Sequence, residues 1–341
     1  MSISRLQEWT IGRLLETASG YWQPCALHAA VKIDLFSTIG DRWLPSGEII
    51  RMLQADARGG EALLNALTAM GLLLKSEGLL ANSEFARTYL CKDSPQYKGY
   101  IISHHHHLVD GWAQLDRAVC HGGPVAKRSH GEERERESFL MGMFNLAMDI
   151  APKAAAAVDL HDRRHLLDLG GGPGTYAVHF CLANPELRAT VFDRPTTRDF
   201  ALKTAERFGV GDRIDFAAGD FNRDEIRGRY DVAWLSHILH GIGPGACERL
   251  VAKTAAALDP GGLLLVHEFF LNDAKDGPLF PALFSLNMLV NNEQGRSYSE
   301  QEVRGMLQKA GVRDVFRLPF TGPNDSYVIG GRVEKAGKEP S

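Results

Sequence analysis

The stretch HLLDLGGGPG, residues 165–174, decides the fold of this 341-residue chain. A short apolar run breaks into glycines and leads directly into TYAVHF, residues 175–180. This pattern predicts a strand, a tight turn and the first turn of a helix. Glycines at such a turn let the backbone approach a bound nucleotide, because a Cβ would restrict φ and block the approach.

Two further strand ends carry side chains suited to a nucleoside. A second apolar run, 189–192, ends at Asp193, whose carboxylate is placed to accept hydrogen bonds from two ribose hydroxyls. A third run, 214–218, is followed by Gly219, Asp220 and Phe221. An acidic side chain beside an aromatic ring suits an adenine, through its exocyclic amine and its face. The sequence therefore predicts a nucleoside pocket.

The glycines also satisfy the loose dinucleotide fingerprint, as Gly172-x-Gly174-x-x-Ala177, which by itself is weak evidence. A dinucleotide enzyme needs a pyrophosphate seat at the helix N-terminus, where Asp168 would repel it. Asp-x-Gly-x-Gly-x-Gly from residue 168, with the acidic strand ends, resembles the class I S-adenosylmethionine-dependent methyltransferases. The resemblance implies S-adenosylmethionine as cofactor and S-adenosylhomocysteine as its product.

Composition excludes several classes of protein. With 44% hydrophobic and 23% charged residues, the chain is typical of a globular protein, and its length predicts two domains. A net charge of −4 gives no general attraction to nucleic acid or anionic membrane, so neither is expected as a partner. Five scattered cysteines without C-x-x-C spacing indicate reduced thiols and no zinc site. With no signal peptide or spanning apolar run recognised, we expect a cytoplasmic protein.

The N-terminal third has the element order of a winged helix. Three segments with helix-spaced apolar residues precede two short strands around a turn, at 6–39, 45–50, 61–71 and 72–81. Since that fold often binds DNA, a ligand-sensing DNA-binding regulator is the rival interpretation. The candidate recognition helix, however, presents Glu61 and Asn65 between its leucines, with little Lys or Arg to hold phosphates. A structural or dimerising role is therefore favoured.

Residues 97–157 read as further helices. The charged run 131–137, GEERERE, is typical of a solvated helix face. The run His104–His107 suggests a metal site, but four consecutive imidazoles on a helix point in different directions, whereas metal ligands must share one face. At most two could converge with His121 or His130. We predict no metal site, and a pocket-lining or hydrogen-bonding role for one of them.

From residue 165 onward strands and helices alternate, which predicts a parallel sheet with right-handed crossovers. The predicted strands are 165–169, 189–193, 213–218, 230–235, 263–268, 314–319 and 326–331. Ligands of such sheets lie beyond the carboxyl ends of the strands. Five candidates stand at such ends: Gly170, Asp193, Asp220, Ser236 and Glu268.

The segment WLSHILHG, residues 234–241, supplies two histidines after the fourth strand. Methyl transfer to a hydroxyl is an in-line displacement that also removes a proton, so a positioned base is required. The segment resembles the Leu-His-Asp-Trp motif of the small-molecule O-methyltransferases, the family of caffeate and hydroxyneurosporene O-methyltransferases. His240 matches the catalytic histidine of that motif, and His237 is expected to be structural.

This resemblance covers nearly the whole chain and implies an α/β fold. A Rossmann-like S-adenosylmethionine methyltransferase domain, 161–335, would follow an all-helical winged-helix dimerisation domain, 1–100, and a helical linker lining the substrate pocket, 101–160. A homodimer acting on a small-molecule methyl acceptor is implied. The implied cofactor-binding residues are Gly170, Gly172, Asp193, Asp220, Phe221 and Ser236. The implied catalytic residues are His240 as general base and Glu268 as its orienter. The implied substrate-binding residues are Phe144, Met148, Asn287, Met288 and Asn291.

Two departures from the family pattern keep the acceptor open. Gly241 replaces the aspartate that follows the histidine in many relatives, and Ser297 stands where plant relatives have a second glutamate. A base with one orienter is weaker. S-methylation of a small thioether acid, as in the methylthiohydroxybutyrate S-methyltransferases of dimethylsulfoniopropionate synthesis, needs no base and is the alternative. A few relatives bind the cofactor without transferring methyl, and the sequence does not separate these possibilities from O-methylation of a hydroxyl.

Overall fold

A computed structural model describes residues 8–125 and 133–334, with the side chains of 133–137 left undescribed. The chain divides into two compact units, Met1–His107 and Leu108–Ser341. His130 and residues 131–132 of the charged run lie outside the described residues, as do the side chains of the rest of that run. In the described part of the chain, no helix is both long and apolar enough to cross a membrane.

The first unit is built mainly of helices around one apolar core. Its helices are α1 (Ile11–Ser19), α2 (Trp22–Lys32), α3 (Leu35–Ile39), α4 (Ser46–Met52), α5 (Ala57–Ala69), α6 (Glu84–Leu90) and the first part of α7 (Gly99–Trp112). Side-chain caps begin several of them: Thr10 accepts from the Arg13 N–H, and Asp56 accepts from the Gly59 N–H. The core contains Phe36, Ile49 and Leu64, so this unit has its own hydrophobic centre.

A small sheet corrects the description of this unit as all-helical. Its described strands are β1 (Leu44–Pro45), β2 (Leu73–Ser76) and β3 (Leu79–Asn82), in the spatial order β1-β3-β2. The predicted hairpin is β2 and β3, and β1 pairs antiparallel to β3, with Leu44 opposite Leu80. Both of these leucines are buried, which explains why a two-residue strand forms here.

The second unit alternates strands and helices around one large sheet. Its helices after α7 are α8 (Leu115–His121), α9 (Glu133–Ala157), α10 (Thr175–Ala183), α11 (Arg198–Arg207), α12 (Pro244–Ala256), α13 (Leu279–Asn291) and α14 (Glu300–Lys309). Its strands are β4 (His165–Leu169), β5 (Arg188–Asp193), β6 (Ile214–Ala218), β7 (Tyr230–Ser236), β8 (Leu258–Glu268), β9 (Val312–Thr321) and β10 (Tyr327–Val333). Short 3-10 helices lie at Pro195–Thr197, Gly211–Arg213, Leu239–Gly241 and Pro323–Asp325.

The described strands of this sheet run in the order β6-β5-β4-β7-β8-β10-β9. The first five are parallel, as predicted, whereas β10 pairs antiparallel to both β8 and β9. The sheet is therefore mixed, because the short turn at 322–326 joins β9 to β10 as a hairpin and leaves no room for a crossover helix. Apolar cores fill both faces, one around Trp234 and Phe180 and the other around Leu235 and Val251.

The reversal of strand order lies between β4 and β7, which pair side by side although β5 and β6 intervene in sequence. In an open α/β sheet, a crevice forms at such a switch point beyond the carboxyl ends of the strands. The glycine turn after β4 and the histidine segment after β7 therefore lie at this end of the sheet.

Candidate functional site

The glycine turn after β4 is shaped by positive backbone angles. Gly170 has φ of 68° and Gly172 has φ of 51°, a region that L side chains rarely adopt. A Cβ on Gly170 would stand 2.7 Å from Ile238 Cγ2 and 3.4 Å from the Phe221 ring, whereas one on Gly172 would meet nothing within 4 Å. Gly170 is thus closely packed, whereas the space beside Gly172 is open, so the backbone at Gly172 is accessible to a ligand.

Asp168 lies fully buried beneath this turn, where its Oδ2 accepts the Ala177 N–H at 3.1 Å. Burial raises the pKa of Asp168 to about 7, with a small further contribution from the charge of Asp193, against the effect of the Ala177 hydrogen bond. The side chain ties the glycine turn to the start of α10. A Cβ on Gly171 would lie 2.6 Å from the carboxyl carbon of Asp168. Glycine is therefore required at this position for the turn to pack against Asp168.

Asp193, at the end of β5, is held by backbone groups on both oxygens. Its Oδ2 accepts the Gly172 N–H at 2.7 Å and its Oδ1 accepts the Arg194 N–H at 2.6 Å. Burial raises the pKa of Asp193, and these two hydrogen bonds oppose that rise. Because a carboxylate has about four acceptor positions, capacity for two more donors remains.

Asp220 and Phe221 follow β6 and are both half-buried. Asp220 Oδ1 accepts the Asn222 N–H at 2.9 Å, and the Phe221 carbonyl accepts a hydrogen bond from Lys253 Nζ at 2.7 Å. These bonds fix the loop, so that the Phe221 ring lies beside the glycine turn at Gly170. The structure thus brings Phe221, one of the two predicted adenine-binding residues, to the turn that was predicted to hold the nucleoside.

Ser236 ends β7, and its hydroxyl is 3.0 Å from His267 Nδ1. His267 is fully buried, and its Nε2 lies 3.2 Å from the Ser326 hydroxyl. Burial lowers the pKa of His267 well below its usual range, and the nearby His237 adds to this effect, so the imidazole is neutral. Ser236 is therefore joined to a hydrogen-bonded network between the strands, and its predicted contact with a cofactor stays a prediction.

The predicted base and its orienter are in direct contact. His240 stands in the short helix Leu239–Gly241, and its Nδ1 lies 2.8 Å from Oε2 of Glu268, at the end of β8. Oε1 of Glu268 accepts the Leu239 N–H at 2.9 Å, which anchors the carboxylate. Burial raises the pKa of Glu268, but the attraction of His240 and His237 outweighs it and holds the pKa well below the ordinary range. Glu268 is thus a buried carboxylate ion.

His237, whose predicted role is structural, belongs to the same group. Its Nδ1 is 3.5 Å from Oε2 of Glu268. His237, His240 and Glu268 place one potential ligand atom each within 4.8 Å of one another, a spacing that could hold a metal ion. The contacts of both histidines with the carboxylate account for this grouping without a metal. The two histidines in WLSHILHG are the feature of the sequence that could have predicted this grouping.

Aromatic rings surround this group and were not predicted as site residues. The Phe269 ring centroid is 4.3 Å from that of His237, and the Phe284 centroid is 4.8 Å from that of His240 in an edge-to-face arrangement. Phe280 lies 4.9 Å from Phe269, again edge to face. The sequence signal was the repeated phenylalanine in EFF, 268–270, and in α13. These three phenylalanines form what we call the phenylalanine wall.

Three predicted substrate residues lie on α13, together with a partner from α7. Asn287 Oδ1 accepts the Trp112 indole N–H at 2.9 Å, and Asn291 Nδ2 donates to the same oxygen at 3.1 Å. Met288 and the two asparagines are half-buried. The end of α7 is thereby joined to α13, the helix that carries two members of the phenylalanine wall.

Phe144 and Met148 lie on α9 and are half-buried. The Phe144 ring centroid is 5.9 Å from the Arg207 guanidinium of α11. The substrate contact predicted for these two residues stays a prediction. In the first unit, His106 Nε2 lies 3.2 Å from Lys32 Nζ and its ring is 5.7 Å from that of His28. This arrangement places one member of the His104–His107 run in a hydrogen bond.

The two positions that depart from the family pattern have other partners. The Gly241 carbonyl accepts a hydrogen bond from Asn292 Nδ2 at 2.7 Å, and the His240 carbonyl accepts the Arg296 N–H at 2.8 Å. The Ser297 hydroxyl is buried and donates to the Pro281 carbonyl at 2.8 Å. The loop after α13 therefore holds the His240 backbone, while Glu268 remains the carboxylate beside the ring.

Comparison with known proteins agrees with this geometry. A family model described as the O-methyltransferase domain matches residues 106–313, and one described as the O-methyltransferase dimerisation domain matches residues 15–92. The chain belongs to the O-methyltransferase family. It is 34% identical over 325 residues to 3-hydroxy-5-methyl-1-naphthoate 3-O-methyltransferase of Streptomyces sahachiroi, covering 93% of this chain and 94% of that protein.

Solved structures share the fold of this O-methyltransferase over almost its full length. PigF with S-adenosylhomocysteine has a TM-score of 0.87 at 28% identity, covering 95% of this chain and all of that one. Human N-acetylserotonin methyltransferase with S-adenosylmethionine has a TM-score of 0.84 at 26% identity, covering 97% and 100%. The chain is therefore an S-adenosylmethionine-dependent O-methyltransferase that acts on small molecules. The predicted fold class, enzyme class and cofactor are confirmed.

Proposed function

We propose that this enzyme methylates a hydroxyl group of a small aromatic molecule, with His240 as general base and Glu268 as its orienter. The observation that carries the proposal is the 2.8 Å contact between His240 Nδ1 and Glu268 Oε2. With its hydrogen on Nδ1, a neutral imidazole has its lone pair on Nε2. Nε2 would then take the proton of the acceptor hydroxyl as that oxygen forms its bond to the methyl carbon and the bond between that carbon and the sulfonium sulfur breaks. The sulfur would leave as the thioether of S-adenosylhomocysteine, and Glu268 would stabilise the imidazolium.

The residues at the strand ends fit the cofactor. When bound, S-adenosylmethionine supplies an electrophilic methyl group on a sulfonium sulfur. The open surface at Gly172 admits a ligand next to the backbone, and the spare acceptor capacity of Asp193 suits two ribose hydroxyls. Asp220 and Phe221 suit the adenine. We propose that Gly170 and Ser236 complete this binding site.

The phenylalanine wall favours a planar aromatic acceptor. Rings in edge-to-face or tilted contact beside His240 offer flat apolar surface, which binds other rings well. The Streptomyces sahachiroi relative is named for a hydroxynaphthoate, an acceptor of this kind. We propose that Asn287, Met288 and Asn291, together with Phe144 and Met148, contribute to acceptor binding. The linker 101–160 would then line the acceptor site.

S-methylation of a thioether acid is the second candidate acceptor chemistry. A thioether has no proton to lose, so a histidine paired with a buried carboxylate would have no task in that reaction. The close His240–Glu268 contact therefore supports a hydroxyl acceptor. The regulator hypothesis is weakened by α5, whose charged side chains are Arg58 and Glu61.

We propose that the enzyme is a homodimer formed through its N-terminal unit. Helix α1 buries no residue within the described chain, and Ile11, Leu14 and Leu15 are between 52% and 73% exposed. An amphipathic helix with its apolar face uncovered needs a partner surface. The dimerisation family model covers this region from residue 15. We further propose a cytoplasmic location, which is supported by five free cysteines.

The test combines mass spectrometry with calorimetry. Enzyme and S-adenosylmethionine are incubated with 3-hydroxy-5-methyl-1-naphthoate, simple phenols and methylthiohydroxybutyrate, and products heavier by one methyl group are sought. His240→Ala should keep cofactor binding and lose turnover of phenols by about 100-fold or more. Unchanged phenol turnover in this variant would contradict the base role, and methylation of the thioether acid alone would favour the second candidate.

A further inference from the structure

We propose that His237 is a positioning residue for methyl transfer: its imidazole shares the Glu268 carboxylate with His240 and limits how strongly that carboxylate holds a proton on His240. The inference rests on the proposed base role of His240. It assigns a task to a residue whose sequence pattern predicts only a structural role.

The backbone conformation of His237 and two neighbouring rings fix the position of its imidazole. Its backbone has φ of 56°, a left-handed conformation that few non-glycine residues adopt, and its N–H donates to the His267 carbonyl at 2.9 Å. The ring centroid is 4.3 Å from that of Phe269 and 4.3 Å from that of His267. These contacts aim Nδ1 at the buried carboxylate.

The Glu268 carboxylate is the polar neighbour of that nitrogen. Nδ1 of His237 is buried, makes no hydrogen bond to a described group that meets the usual geometry, and lies 3.5 Å from Glu268 Oε2. A buried N–H without a partner is destabilising, so a small rotation toward the carboxylate is favoured. One oxygen of Glu268 thus faces both imidazoles, at 2.8 Å from His240 and 3.5 Å from His237.

Because two imidazoles share this oxygen, Glu268 attracts a proton on His240 less strongly. A buried carboxylate attracts an adjacent imidazolium most strongly when no other donor faces the same oxygen. A second N–H directed at the same oxygen spreads its negative charge and weakens that attraction. His237 therefore keeps His240 available as a base, while Glu268 still orients its ring.

The other ionisable groups around the carboxylate do not take this role. His267 on β8 is neutral and its two nitrogens face Ser236 and Ser326. Cys247 on α12 stays a thiol, because burial raises its pKa to about 11. From the loop after α13, the Arg296 guanidinium pairs with Glu302. Helix α13 presents Phe284 to His240 and Phe280 to Phe269, and these rings carry no charge.

The test compares two substitutions of His237 in the full-length enzyme. His237→Phe keeps a ring between Phe269 and His267 but removes the nitrogen, whereas His237→Asn places an amide N–H near the position of Nδ1 and tolerates positive φ. With 3-hydroxy-5-methyl-1-naphthoate, the acidic limb of the kcat/KM profile should move to higher pH in His237→Phe, by about half a pH unit or more. His237→Asn should restore the wild-type profile.

A second measurement separates this inference from the base role itself. In enzyme labelled with [15N]histidine, the imidazole signals are followed by NMR against pH, with His240 assigned from the spectrum of His240→Gln. In His237→Phe the His240 signal should change at higher pH than in wild type, whether or not the naphthoate is methylated. Absent turnover in all variants would therefore count against the proposed function and leave the NMR comparison intact.

Several outcomes would overturn the proposal. These are an unmoved His240 titration in His237→Phe, a drop in kcat/KM that is equal at every pH, and a His237→Asn variant that behaves like His237→Phe. Circular dichroism and calorimetry with S-adenosylmethionine establish that each variant is folded. If His237→Phe does not bind the cofactor, His237→Leu replaces it, since it also lacks the nitrogen and should show the same shift.

Discussion

Oε2 of Glu268 lies 2.8 Å from Nδ1 of His240, while Oε1 of the same carboxylate accepts the N–H of the residue before that histidine. The carboxylate thus holds the His240 ring and also the backbone of the short helix that carries His240. This double attachment joins the ends of two neighbouring strands, β7 and β8. The His240 ring is consequently held in one orientation relative to the sheet.

Glu268→Gln tests this attachment. The amide keeps an oxygen for the Leu239 N–H but removes the charge that stabilises the imidazolium, so kcat should fall by about 100-fold or more. Binding of S-adenosylmethionine, measured by calorimetry, should change by less than about threefold because no cofactor-binding residue is altered. Glu248→Gln, which removes a surface partner of Lys309, is the matched control and should leave kcat unchanged. Equal activity of both variants would contradict the orienting role.

Asp193→Ala should weaken cofactor binding. The variant loses the carboxylate proposed to accept two ribose hydroxyls, in hydrogen bonds worth roughly 1.5–3 kcal/mol each, so Kd should rise by at least about tenfold. It also leaves the Gly172 and Arg194 N–H groups without their acceptor, which adds a modest loss of stability. Calorimetry measures the affinity, and Asp215→Ala on the adjacent strand is the control. An unchanged Kd would contradict the proposed role of Asp193 in cofactor binding.

The buried carboxyl of Asp168 should make stability depend on pH. Its folded pKa of about 7 exceeds the unfolded value of about 3.9, so the native state holds the proton more tightly. The unfolded state ionises first as pH rises, and the free energy of unfolding should therefore fall between about pH 4 and pH 7. Asp168→Asn removes this loss and should gain roughly 2–4 kcal/mol relative to wild type across that range.

Urea unfolding of both proteins at several pH values measures this difference. Asp162→Asn, at an exposed aspartate, should follow the wild-type curve. A constant difference between Asp168→Asn and wild type from pH 4 to pH 7 would show that the Asp168 carboxyl does not titrate as its burial requires.

Leu15→Asp should disrupt the proposed homodimer. A charge on the uncovered apolar face of α1 would be buried at the interface without a partner, which costs several kcal/mol. Light scattering after size exclusion should report a monomer, whereas Glu16→Gln, on the same helix, should remain dimeric. A wild-type enzyme that is monomeric, or a Leu15→Asp enzyme that is still dimeric, would contradict an interface through α1.

Much of the fold could be predicted from local pattern alone. The strand, glycine turn and helix at 165–180 appear where the sequence indicates them, because glycines with positive φ and a short apolar run have few other structures available. The end of β5 at Asp193 was equally predictable. What local pattern could not provide was the antiparallel insertion of β10 between β8 and β9, which depends on long-range pairing.

The sequence by itself determined which chemical groups follow the strands, since apolar runs and glycine spacing predict strands that end at Asp193 and Glu268 and a histidine segment with His240 just after another strand. Only the tertiary structure decided how these groups meet. The 2.8 Å contact of His240 with Glu268, the approach of His237 to the same oxygen and the contacts of Phe269 and Phe284 with these histidines join residues 28 or more positions apart. Such contacts depend on packing between elements, and no local periodicity encodes their distances.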